Sequence, residues 1–337
     1  MIPIMGVPFL ELALRRIKEA GVEHAILAAH YLPGAISDYF GDGSGVGLKL
    51  TYVIEETPMG TAGAIKNVEK HIDGPFFVFN GDIMTSLDLR TMIAYHEAKG
   101  GIGTLHLIEV EDPSAFGAVV HDGEGLISAF VEKPPKGTSP TNDVNAGTYL
   151  LEREILEYIP AGRNVSIERE TFPAVISGGN RLFAYVTSDY WIDLGRPEHY
   201  LDAHRHIFAG AVPLGIPFTK HGISGPGAAQ PKDTLVAPVF VGNDVVVEEG
   251  AHVGPFVVLG DGCRIARGAC VRDSLLWDGV NVGAEALVER AIVASRTRIG
   301  ARANVGARTV IGHDVVIEDG ARIPEDSRIV AEGVAHV

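Results

Sequence analysis

From Val241 to Ile329 an aliphatic side chain returns every six residues, and no other feature narrows the possible folds so far. The positions are Val241, Val247, Val253, Leu259, Ile265 and Val271, and Trp277 continues the phase. A five-residue step leads to Val282, Val288 and Ala294, and another to Ile299, Val305, Ile311, Ile317, Ile323 and Ile329. A small residue often follows, as in Val253-Gly254, Leu259-Gly260 and Ile311-Gly312. This period predicts a parallel β-helix, short strands stacked around a narrow apolar core. Three hexads per coil give about five coils. Trp277 is expected to fill a wider layer or to face a partner.

The first part of the chain reads differently. A helix over Phe9 to Ala20, a strand over His24 to Ala29, a helix over Leu32 to Phe40, a strand over Leu48 to Ile54, and a stretch from Glu55 to Gly63 that leads into a helix through Lys70 alternate as in an α/β fold. Phe76-Phe77-Val78-Phe79 is expected to be a strand buried on both faces, broken by Asn80-Gly81 before Asp82. Ligands of open α/β sheets sit outside the carboxyl ends of the strands, where Asp82 falls. Its carboxylate suits either a metal and phosphate site or a helix cap. Strands follow at 101–110, 116–120 and 127–131, and a helix over Glu198 to Ala209. The reading is an α/β domain with a mostly parallel sheet and helices on both faces over 1–209, a Gly- and Pro-rich linker over 210–234, and the β-helix over 235–337.

Composition excludes several classes. The net charge of −15, from 28 Lys and Arg against 43 Asp and Glu, comes without a long basic run, and phosphate neutralisation on nucleic acid needs one. Two cysteines, Cys263 and Cys270, make no disulfide framework and fit a reducing compartment. No apolar run approaches the roughly 18 residues of a membrane span, and Met1-Ile-Pro-Ile-Met is no secretory signal. The expectation is a cytoplasmic protein without membrane or nucleic-acid partner.

Several polar residues stand at strand ends. Glu132-Lys133-Pro134 closes one strand, Asn145-Ala146-Gly147 precedes another, and Asp193 follows Tyr190-Trp191-Ile192. Taken singly, Glu132 and Lys133 could be a solvated pair, Asn145 a turn former and Asp193 the cap of the helix near Pro197. Together and in this order they resemble the nucleotide-sugar pyrophosphorylases, the sugar-1-phosphate nucleotidylyltransferases that carry a carboxyl-terminal left-handed hexapeptide β-helix. Within that family the stretches 55–63 (EETPMGTAG) and 165–173 (VSIERETFP) most resemble mannose-1-phosphate guanylyltransferases.

The resemblance implies roles. Asp82 and Asp193 would hold Mg²⁺, Gly60 and Thr61 would lie against the base, and Glu132, Asn145 and Gly147 would belong to the sugar site. Gly117 would leave room for the sugar ring and Lys133 would neutralise the sugar phosphate. The implied reaction joins an NTP and a sugar 1-phosphate into an NDP-sugar and pyrophosphate. Glu55 suggests guanine, because a carboxylate accepts from both donors of the guanine edge where pyrimidine-using relatives resemble a Gln; GTP and mannose 1-phosphate would then be the substrates.

The chain departs from the family at its start. Relatives open with a strand and a Gly-Gly-x-Gly-Thr-Arg loop ending in Lys-Pro, which would hold the β- and γ-phosphates. Without them the chain as written is expected to be inactive and poorly folded in its first half, either as a truncated form of an ordinary enzyme or as a non-catalytic regulatory subunit that binds nucleotide sugar. Acyl transfer on the β-helix is disfavoured, since His252 and His313 are expected in turns and no long loop interrupts the hexads. The β-helix reads instead as a surface for homo-oligomer assembly.

Overall fold

The computed structural model describes residues 1–30, 33–212, 222–227, 229–231 and 233–331. The chain forms two compact units, one of Met1 with Ala13–Trp191 and one of Ile2–Leu12 with Ile192–Val337.

In the first unit, Asp143–Leu151 is the strand around which the sheet is built. It pairs antiparallel with Phe76–Phe79, Gly103–Glu109 and Gly117–His121. Leu182–Thr187 adds in parallel beside Gly103–Glu109, and Ile127–Glu132 antiparallel beside Gly117–His121. These pairings set four strands, 76–79, 103–109, 117–121 and 182–187, running one way and two the other. His24–Ala29 and Lys49–Ile54 form a separate parallel pair, and no described strand joins the two sheets. One core cluster holds Leu105, Leu107, Tyr149, Leu151, Ile167 and Phe172, all fully buried.

Phe76–Phe79 departs from the expectation of burial on both faces, because Phe79 is 38% exposed. Among the described residues the strand is paired only with Thr148–Leu151, so one edge lacks the neighbour that would cover it. The helix after Gly60 ends at Asn67 and continues as a single 3₁₀ turn, Glu69–His71. The helix expected from Leu32 is seen over Pro33–Phe40, Leu32 itself lying outside the described residues.

The second unit is a parallel β-solenoid with ladders of seven, five and five strands, which makes about six coils rather than five. The hexad register also needs correcting at two places. Leu259 pairs with Leu276, Leu276 with Val293 and Val293 with Ile311. Leu276 and Val293, at most 1% exposed, are therefore the core positions, and not Trp277 and Ala294. Each five-residue step therefore comes one hexad earlier than the spacing suggests, from Val271 to Leu276 and from Val288 to Val293. Trp277 stands outside the core, with Tyr200 and His313 edge-on to it at 6.5 and 5.4 Å between ring centroids. His252 lies in a strand and not in a turn. The expected linker 210–234 includes 213–221, 228 and 232, which lie outside the described residues, and Ile223–Ser224, which starts the seven-stranded ladder beside Val239–Phe240.

The helix Pro197–Phe208 lies along one solenoid face. Glu198 meets Arg328 at 3.4 Å, Arg205 Nε donates to Asp273 at 2.8 Å, and Phe208 packs on Phe256 at 6.3 Å. Twelve residues span about 18 Å as a helix, and the four coils from Val258 to Arg328 span about 19 Å. The match explains why the outward side chains Val258, Leu275 and Ile292 on this face are apolar and buried. Pro3–Ile4 and Val7–Pro8 make a hairpin through Met5 and Gly6, both at positive φ, as a two-residue primed turn requires. Tyr200 donates its hydroxyl proton to the Pro3 carbonyl. His204 Nδ1 lies 2.9 Å from the Tyr200 carbonyl, which can only accept, so Nε2 is free to accept from the Met5 N–H at 3.5 Å.

Candidate active site

Two stretches more than a hundred residues apart are fastened together in the first unit. The Val165 N–H donates to the Met59 carbonyl at 2.9 Å, the Ala62 N–H to the Val165 carbonyl at 3.0 Å, and the Asn164 amide to the Pro58 carbonyl at 2.9 Å. Gly60 makes the approach possible. It sits at φ +68°, and a Cβ there would lie 2.6 Å from the Val165 carbonyl oxygen. Gly60 opens the helix Gly60–Asn67, with Thr61 in its first turn. Glu55, at the end of the Lys49–Ile54 strand, accepts from the Met59 N–H at 3.3 Å and so pins the loop between them.

The segment after Val165 turns into a hollow of about 210 Å³ lined by Gly117, Phe130, Glu132, Asn145, Glu168, Arg169 and Pro173. Gly117 and Glu132 face each other across two antiparallel strands, and a Cβ on Gly117 would stand 3.0 Å from Glu132 Oε2. Asn145 occurs within a strand, not in a turn, at a register shift that places Gly147 at φ +72°. A Cβ on Gly147 would meet the Asn80 amide at 2.7 Å. The Asn80 N–H donates to the Gly147 carbonyl at 2.9 Å, tying the end of the Phe76–Phe79 strand to this bulge.

Polar groups in the hollow are held in fixed roles. Asn145 Oδ1 accepts from the Gly147 N–H at 3.0 Å, and Asn145 Nδ2 donates to the Tyr149 hydroxyl at 2.7 Å. Tyr149 donates in turn to Glu168 Oε1 at 3.0 Å, and the Ser166 hydroxyl to Glu168 Oε2 at 3.1 Å. Burial, and then the Glu168 charge, pushes the Tyr149 phenol well above its ordinary pKa, so it remains a donor. Arg169 reaches Glu132 at 3.2 Å. Glu132 is thus paired with Arg169 and not, as a surface reading has it, with Lys133. Phe130 stacks on Phe172 at 5.3 Å and floors this side of the sheet.

The structure therefore gathers Gly117, Glu132 and Asn145 into one hollow, and Gly147 orients Asn145. Lys133 follows Glu132 at φ +46°, exposed, with its N–H on the Phe116 carbonyl at 3.0 Å. Asp82 is exposed in the turn after Phe76–Phe79; a strand, Ile83–Thr85, follows it, which removes the helix-cap reading. Asp193 belongs to the second unit, where its Oδ1 accepts from the Gly195 N–H at 2.7 Å; Arg196 holds the N-cap position of the Pro197 helix, so Asp193 is no cap either. Among the described residues no group of three or more His, Cys, Asp or Glu is poised for a metal. Tyr149, Glu168 and Arg169 were not singled out as site residues from the sequence. The only signal for them was their place in or beside the family-like stretches.

The first unit thus carries a close-packed Gly60 loop, a polar hollow holding Glu132 and Asn145, and Asp82 exposed past a strand end, groups of the kind that bind a small polar ligand. The chain belongs to the nucleotidyl transferase family, whose profile matches residues 1–210, and residues 235–331 match the GMPPB C-terminal domain. It is 36% identical over 300 residues to a mannose-1-phosphate guanylyltransferase of Mycobacterium tuberculosis, covering 86% of this chain and 77% of that protein. It is 30% identical over 292 residues to mannose-1-phosphate guanylyltransferase 1 of Arabidopsis thaliana, covering 85% and 77%. Among solved structures, HddC from Yersinia pseudotuberculosis complexed with GMP-PN matches with a TM-score of 0.53 and 32% identity, over 61% of this chain and 88% of that one. No helix among the described residues is long and apolar enough to cross a membrane.

Proposed function

We propose that the chain forms GDP-mannose and pyrophosphate from GTP and mannose 1-phosphate. The observation that supports this most is the hollow of Gly117, Glu132, Asn145 and Glu168, built on the segment that also holds the Gly60 loop. A phosphate oxygen of the sugar 1-phosphate attacks the α-phosphorus of the NTP; the new P–O bond forms as the bond to the β-phosphate oxygen breaks, and pyrophosphate leaves. The protein's part is to position and to neutralise. Glu132 and Asn145 take sugar hydroxyls, with Glu168 and Tyr149 fixing the Asn145 amide. Lys133 neutralises the sugar phosphate, Gly60 and Thr61 lie against the base, and Glu55 accepts from guanine.

Asp82 and Asp193 are the proposed Mg²⁺ ligands. Their chemistry fits, since Mg²⁺ takes one or two carboxylates, water and substrate phosphate rather than a protein cage. Bound there, Mg²⁺ would supply charge neutralisation on the reacting phosphates. We further propose a cytoplasmic homo-oligomer assembled through the β-solenoid.

The test is pyrophosphate release from GTP or UTP with mannose or glucose 1-phosphate, with Mg²⁺ and with EDTA. GTP with mannose 1-phosphate should be the best pair, and EDTA should abolish turnover. Turnover confined to UTP refutes the base assignment. Binding of GDP-mannose without any pyrophosphate release favours a regulatory subunit that senses the nucleotide sugar.

A further inference from the structure

His24–Ala29 and Lys49–Ile54 run parallel and in register, Ala29 opposite Ile54, so His30 and Glu55 leave the sheet side by side at its carboxyl edge. The Glu55 N–H donates to the Ala29 carbonyl at 3.0 Å. The exposed His30 ring lies with Nδ1 2.7 Å from the Glu55 carbonyl oxygen. A carbonyl can only accept, so Nδ1 carries the proton and the neutral ring presents Nε2 as an acceptor. No described residue bonds that nitrogen.

The rim is rich in acceptors. Glu55 uses Oε2 on the Met59 N–H and has Oε1 to spare, and Glu56 beside it is exposed. Carboxylates at this edge repel phosphate, so the part of a nucleotide that fits here is a base edge that donates. Guanine offers three such protons, one on N1 and two on its 2-amino group. A carboxylate can take N1–H and one amino proton, which leaves the second amino proton without an acceptor.

We propose that His30 is a specificity residue of the nucleotide site, its Nε2 accepting the outer proton of the guanine 2-amino group. The proposal rests on the guanine reading above. Inosine nucleotides separate the two, because they keep N1–H and lack the 2-amino group. One neutral hydrogen bond at a half-open site changes affinity by about three- to tenfold.

Calorimetric dissociation constants for GTP, ITP and UTP, measured on the unaltered chain and on His30→Ala, test it. Expected for the unaltered chain is GTP tighter than ITP, with UTP weakest. In His30→Ala, GTP should weaken about three- to tenfold while ITP stays within twofold, which also shows that the exposed substitution leaves the site folded. If GTP is preferred but His30→Ala leaves the GTP to ITP ratio unchanged, or weakens both alike, the role of His30 is overturned and the guanine reading stands. If UTP binds better than GTP, or no triphosphate binds, the underlying reading fails and takes His30 with it.

Discussion

Gly60→Ala should unfasten the nucleotide loop from the sugar segment. The residue stands at φ +68°, a left-handed conformation that costs an L-residue about 1–2 kcal/mol. The new methyl carbon would lie 2.6 Å from the Val165 carbonyl oxygen and 2.9 Å from Asn164 Oδ1, and the first of these is backbone, which cannot swing aside. Relief requires the two segments to part, which loosens the bonds Val165 N–H to Met59 and Ala62 N–H to Val165. At about 0.5–1.5 kcal/mol each, their loss brings the total to about 2–5 kcal/mol. Urea unfolding of a Trp277→Phe background followed by Trp191 fluorescence should report this destabilisation, and calorimetry should show triphosphate affinity falling at least tenfold. Gly74→Ala is the control: it has open space around it and is expected within about 0.5 kcal/mol of the unaltered chain. A Gly60→Ala protein as stable as that control, with nucleotide affinity intact, would refute the argument.

Gly117→Ala places a methyl 3.0 Å from Glu132 Oε2 at an ordinary φ, so stability should change by less than about 1 kcal/mol. Steady-state kinetics should show KM for sugar 1-phosphate rising about tenfold with KM for nucleotide unchanged. Ile299→Ala hollows the solenoid core at a residue 2% exposed and should cost about 2–5 kcal/mol, read from chemical unfolding by far-ultraviolet circular dichroism. Burial lowers both His106 and His204 to about 4. The unfolded chain therefore binds more protons than the folded one between about pH 6.5 and 4, and stability falls as pH falls through that window, by up to about 1.4 kcal/mol per pH unit for each histidine. Thermal melts from pH 7 to pH 4 check this; a flat profile in that window would count against neutral buried histidines.

The six-residue period determined the solenoid, because each hexad presents one aliphatic side chain to a shared core and stacking leaves it no other place. The α/β alternation and the strand-end positions of Asp82 and Glu132 were legible for a similar reason, since both follow from local chain direction, whereas Asn145 lies inside the strand Asp143–Leu151 at a register shift that local sequence does not announce. The phase at Trp277 and Ala294 was not legible. Neighbouring residues there are both apolar, and only pairing across coils shows that Leu276 and Val293 point inward. Nor could the sequence show that Met59 bonds Val165, that Glu168 and Tyr149 lock Asn145, or that the His30 proton sits on Nδ1. Except for the Asn145 to Tyr149 bond, which a register shift in one strand creates, those are contacts between residues far apart in the chain, and hydrogen-bond direction depends on what lies across the gap. The tertiary structure decided them because it alone brings the partners to within about 3 Å of one another.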